Sequence, residues 1–135
     1  MKRIFFITGL LLLAAQVYAP GNPTIALVIL PAINEYDKLI EAIVRVESQG
    51  DSRAFNMIEQ AVGPFQIRPI KLKDYNQRTN ADYQMKDCFD YDISREIFLF
   101  YAKGKSFEQA ARSWNGSGEM TTEYWNKIKN ALSCL

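Results

Sequence analysis

From residue 36 onward the apolar positions recur at the three- and four-residue spacing of helices. Tyr36, Ile40, Ile43, Val44 and Glu47 fall on one face of a helix predicted over residues 37–48. Lys38, Glu41 and Arg45 fall on other faces, where charge stays in water, and Gly50 stands where a helix C-terminus commonly ends. A second helix is expected over residues 70–78, after Pro69, and a third over 94–103 with Ile97, Phe98, Phe100 and Tyr101. Ser106 suits the cap of a fourth, with Glu108 and Gln109 in its first turn and Ala110, Ala111 and Trp114 along it. Thr121 or Thr122 suits the cap of a last helix carrying Tyr124, Trp125, Ile128 and Leu132. The Gly-containing, polar loop 49–66 has room for at most a short β-hairpin, so the fold class is mainly α.

One position breaks the pattern. Glu47 is a carboxylate on the apolar stripe, and burying an unpaired charge is expensive. Desolvation raises the pKa of such a group, so it can hold a proton near neutral pH and give it to a leaving oxygen. The plainer alternative is a helix-end residue that reaches solvent or pairs with Arg45 or Arg53.

The residues after Glu47 favour the chemical alternative. Glu47-Ser48, Ala54, Ala61-Val62-Gly63-Pro64-Phe65-Gln66-Ile67 and Pro69 resemble the signature of lysozyme-like lytic transglycosylases, the soluble lytic transglycosylase catalytic domain. Ser113-Trp114-Asn115-Gly116 is similar to that family's Ala-Tyr-Asn-Ala segment, and Thr121, Tyr124, Lys127 and Ile128 to its closing helix. The likeness runs from about residue 37 to 132. It departs from the family pattern at Gln60, in place of a Gly, at Phe65, in place of a Met, and at Asn56, where a substrate-contacting Ser often lies. Trp114 replaces a Tyr, which removes a hydroxyl and leaves Tyr124 as the phenol to place beside Glu47.

The resemblance implies a lysozyme-like α-rich domain over residues 37–135. It further implies cleavage of the bond between N-acetylmuramic acid and N-acetylglucosamine in peptidoglycan, with Glu47 as acid and then base and a 1,6-anhydro sugar as product. By the same likeness Ser48 fixes the helix end, and Asn56, Gly63, Phe65 and Gln66 line the substrate floor, the turn 63–65 through its backbone. Asn115 hydrogen-bonds substrate or holds a loop, while Trp114 and Tyr124 stack on or bond the glycan. Core packing is the alternative for Trp114, and Trp125 is expected in the core outright. A lysozyme-type hydrolase, or a glycan-binding or assembly protein with a dead site, uses the same fold. A hydrolase usually needs a second carboxylate; Asp51, Glu59 and Asp74 are near in sequence, but no motif singles any of them out.

The chain start reads as an export signal over residues 1–19: Lys2 and Arg3 precede an apolar run at 4–15, and Val17-Tyr18-Ala19 offers a cleavage site. Residues 20–36 then form an arm or linker, strand-like at 25–30. These features point to the periplasm or cell envelope. In an oxidising compartment Cys88 and Cys134 are either a disulfide or two buried free thiols. Among 135 residues, 48% hydrophobic, the part after the signal suffices for one core, and a monomer is expected. Removing Lys2 and Arg3 leaves 14 basic residues against 15 acidic, which gives nucleic acid no basic surface to bind. With no histidine, Ser-His-Asp and Cys-His machinery and His-ligated zinc are excluded; no phosphate-binding loop appears, and neither cofactor nor metal is expected. A small enzyme without a wall-binding module suits a larger cell-envelope machine.

Overall fold

The computed structural model describes residues 34–135 with their side chains, together with the backbone of two strands nearer the N-terminus. Those strands, β1 (Leu13–Val17) and β2 (Thr24–Val28), pair antiparallel, with Leu13 opposite Val28 and Val17 opposite Thr24. Residues up to Asn34 form one compact unit and Glu35–Leu135 a second. Most of the expected signal and arm lies outside the described residues; the parts described are the two strands of this hairpin and residues 34–36, which form a turn rather than a strand.

In the second unit the apolar periodicity is realised as five α-helices among the described residues: α1 (Asp37–Ser48), α2 (Pro69–Thr79), α3 (Tyr91–Ala102), α4 (Phe107–Asn115) and α5 (Met120–Leu132). The loop between α1 and α2 holds a two-residue hairpin, β3 (Phe55–Asn56) against β4 (Ala61–Val62). The unit is therefore mainly α with a short hairpin after α1. Helix α1 spans the expected residues and buries Leu39, Ile40, Ala42 and Ile43. It ends as Gln49 turns left-handed at φ 57°, one residue before the glycine.

The caps explain the remaining boundaries. Ser106 Oγ accepts from Gln109 N–H while the Gln109 side chain accepts from Ser106 N–H, the reciprocal box that fixes the start of α4. Asp90 caps α3 by accepting from Asp92 and Ile93 N–H, so that helix begins earlier than expected. A single 3₁₀ stretch, Met85–Phe89, precedes it; such a short element leaves no periodic trace in the sequence. The expected threonine cap of α5 is not used: the helix starts beyond Glu119, and Thr121 is buried within it, donating to Gly118 O at 2.7 Å.

The core gathers Leu39 and Ile43 of α1, Phe65 and Ile67 of the loop, Ile97 and Phe98 of α3, Trp114 of α4 and Ile128 of α5. Phe98 packs edge-on to Trp114, with ring centres 5.1 Å apart, and Phe65 lies 5.6 Å from Phe98. Trp125 is only half-buried at the edge of this cluster, a correction to its expected core position. Gly63, at φ 75°, passes under the 3₁₀ stretch so closely that a Cβ there would lie 1.9 Å from Cys88 O. Cys88 and Cys134 are free thiols, the first buried and the second exposed, so neither the bridge nor a pair of buried thiols describes them.

Candidate active site

Glu47 lies in the last turn of α1, half-buried on the face that meets α5. There the Tyr124 hydroxyl donates to its Oε1 at 2.6 Å, across 77 residues of chain. Burial pushes the Glu47 carboxyl from its ordinary 4.5 up to about 6; the Tyr124 hydrogen bond and the Arg68 and Lys71 cations work the other way. Desolvation outweighs them because it acts on the whole carboxylate, while one neutral donor and two partly solvated cations stabilise it only in part. Tyr124 is itself held firmly protonated, first by burial and then by the charge of Glu47. The pair is thus a carboxyl that changes protonation near pH 6 beside a phenol that stays protonated. Neither Arg45 nor Arg53 takes Glu47 as an ion-pair partner: Arg45 lies 3.9 Å from Glu41.

Ser48 ties this helix end to the loop. Its Oγ lies 3.1 Å from Val44 O and 3.0 Å from Pro64 O, so its one proton is shared between helix and loop. Gln66, left-handed at φ 49°, turns its Nε2 back to donate to Gly63 O at 3.0 Å and Ala54 O at 3.3 Å. The Gly63 N–H donates to Ala54 O at 2.9 Å. Gly63 and Gln66 therefore brace the loop that carries Ser48's acceptor, with their donors committed inside it. Asn56 caps the β3–β4 turn, its Oδ1 accepting from Ile58 and Glu59 N–H.

Two residues expected at the substrate lie elsewhere. Phe65 is fully buried, and its carbonyl accepts from Trp114 Nε1 at 3.2 Å. Trp114 is only 4% exposed, so no ring face remains for a sugar, and core packing is its role. The single-sequence signal could not separate these uses, since an aromatic at helical spacing reads alike in a core and on a platform. Asn115 ends α4 half-buried, and its carbonyl accepts from Arg68 Nη2 at 3.2 Å.

Arg68 and Lys71 were not singled out in the sequence. Both bear on Glu47, and their i, i+3 spacing at the start of α2 was the available signal. Burial, then the neighbouring Arg68 and Lys105 cations, lowers the Lys71 amine from 10.5 to about 8. The other carboxylates near in sequence are engaged: Asp51 Oδ1 accepts from Arg53 N–H, Glu59 pairs with Arg68 at 3.4 Å, and Asp74 accepts from Tyr101 at 2.7 Å.

A polar groove of about 1040 Å3 opens between α4 and the start of α5, lined by Ser106, Gln109, Arg112, Gly118 and Thr121 among others, and it does not include Glu47. The chemistry follows the perturbed carboxyl rather than the size of the depression. Among the described residues no group of three or more His, Cys, Asp or Glu is placed to hold a metal ion, and no helix is long and apolar enough to cross a membrane. No family model matches the chain, and no curated protein or solved structure matches it either.

Proposed function

We propose that the protein is an exported peptidoglycan lytic transglycosylase in which Glu47 serves first as acid and then as base. The observation that carries this reading is the Glu47–Tyr124 pair: a carboxyl raised to about 6 by burial, on the inner face of a helix end, hydrogen-bonded at 2.6 Å to a phenol. The proton resides on the carboxyl and passes to the glycosidic oxygen as the bond from that oxygen to the muramic acid C1 breaks. The carboxylate left behind keeps the Tyr124 hydrogen bond. It then takes the proton of the muramic acid 6-hydroxyl as that oxygen closes on C1, which restores the glutamic acid and forms the 1,6-anhydro ring without water. One carboxyl suffices for both steps; Asp51 and Asp74 are engaged elsewhere, and Glu59, whose charge reaches Glu47, is paired with Arg68.

Mass spectrometry of muropeptides released from purified peptidoglycan tests the reading. The wild-type protein should release anhydro-muropeptides and Glu47→Gln none. Reducing ends in their place would make the protein a hydrolase, release by Glu47→Gln at the wild-type rate would remove Glu47 from the chemistry, and no release by either would leave a glycan-binding protein.

A further inference from the structure

Two cations converge on the end of α4 beside Glu47. Arg68, immediately before α2, donates from Nη2 to Asn115 O at 3.2 Å, and Lys71, in the first turn of α2, donates from Nζ to Trp114 O at 3.0 Å. Lys71 Nζ also stands 4.2 Å from the Trp114 ring centre and 4.9 Å from that of Tyr101. Helix-end carbonyls and ring faces hold an ammonium in place without cancelling its charge. No carboxylate is within ion-pair distance of Lys71 among the described residues. Arg68 has Glu59 at 3.4 Å, with that side chain 47% exposed and screened by solvent. Glu47 offsets the pair only while ionised, and as an acid it must first be protonated. In the state that starts the reaction, Arg68 and Lys71, with the Lys105 cation also bearing on Lys71, meet only exposed carboxylates: Glu59 at Arg68, and Asp74, which pairs with Arg78.

A half-buried ammonium with two N–H groups to spare is stabilised by an anion that brings its own charge. The peptidoglycan strand carries such anions on every muramic acid. Building on the reading of Glu47 as the acid of a wall-cleaving enzyme, we propose that Arg68 and Lys71 form a subsite for a carboxylate of the glycan strand, carried by the lactyl ether or by the peptide stem. Arg68 offers a planar fork and Lys71 a point charge, and together they fix the strand next to the bond that Glu47 protonates.

Binding to the Glu47→Gln protein tests the subsite apart from catalysis. Three soluble strand preparations serve as probes: strands with acidic stems, strands stripped by an amidase so that only the lactyl carboxylate remains, and stem-bearing strands with every carboxylate converted to an amide. Acidic strands should bind about tenfold more tightly than amidated ones, the size of one charge-assisted hydrogen bond. Adding Lys71→Met, which keeps a chain packed on Trp114, should bring that preference within about twofold, while Lys71→Arg should retain it. The preference for acidic over amidated strands assigns a stem carboxylate, since the lactyl carboxyl is an amide in both; tight binding of stripped strands shows that the subsite also takes the lactyl carboxylate freed when the stem leaves, and weak binding confines it to the stem. Equal affinity for acidic and amidated strands, or an equal loss on both in Lys71→Met, overturns the subsite. A binding preference in a protein that releases no muropeptides would remove the enzyme reading and leave the subsite standing.

Discussion

Replacing Glu47 with glutamine should make the protein more stable at neutral pH. The carboxyl titrates at 4.5 in a solvated chain and about 6 in the fold, so the folded state binds its proton more tightly than the unfolded state does. A group with a raised folded pKa contributes its full stability below pH 4.5, and that contribution is lost as pH rises through 6. Each tenfold change in acidity is worth about 1.36 kcal/mol. Ionised Glu47 therefore burdens the wild-type fold by about 2 kcal/mol at pH 7 and by about 0.8 kcal/mol at pH 5. Glutamine keeps the shape and an oxygen for Tyr124 but cannot ionise. Urea unfolding from pH 4 to 8 should show Glu47→Gln gaining on wild type by about 2 kcal/mol across this window. A stability difference that does not change with pH, or a wild type that gains on the variant as pH rises, would refute the desolvation of Glu47. Stabilisation by loss of the proposed acid is the trade expected at a site held for chemistry rather than for folding.

Further consequences follow from the same contacts. Cleavage should be fastest below about pH 6, where Glu47 holds its proton, and should decline above it; Tyr124→Phe removes a hydrogen bond that lowers this pKa, so the decline should move to higher pH in a pH–rate profile. Gly63→Ala places a Cβ 1.9 Å from Cys88 O at φ 75° and should destabilise the fold by more than about 2 kcal/mol, read by urea unfolding. A thiol reagent should label Cys134 alone in the native protein and both thiols in denaturant, since Cys88 is buried and pushed up to about 12. Native labelling of Cys88 as fast as Cys134 would contradict its burial.

The helices were legible in the sequence because each carries a long periodic stripe, and α1 most clearly: its bounds and the inward face of Glu47 follow from counting apolar spacings. Ser106 was readable for a local reason, a hydroxyl three residues before a glutamine. The cap of α5 was not, because Thr121 sits three residues beyond Gly118 and bonds back to it from inside the helix. Tyr124 came from the resemblance and from the loss of the Tyr at position 114, and the structure brings its hydroxyl to Glu47. Phe65 and Trp114 went the other way, into the core, where their ring contacts with Phe98 are long-range facts that no window of sequence contains. Lys71 carries no local mark for the same reason: its meaning depends on Trp114, 43 residues away.

The Glu47–Tyr124 hydrogen bond also sets an order of events in the life of the chain. Its two halves come from the first and last helices described in the second unit, so a ribosome must add 77 residues after Glu47 before the phenol exists. Until then α1 lacks α5, the helix that covers its glutamate, and that side chain remains a hydrated carboxylate of ordinary acidity. The proposed acid would thus gain its raised pKa only once the last helix of its own unit has been made.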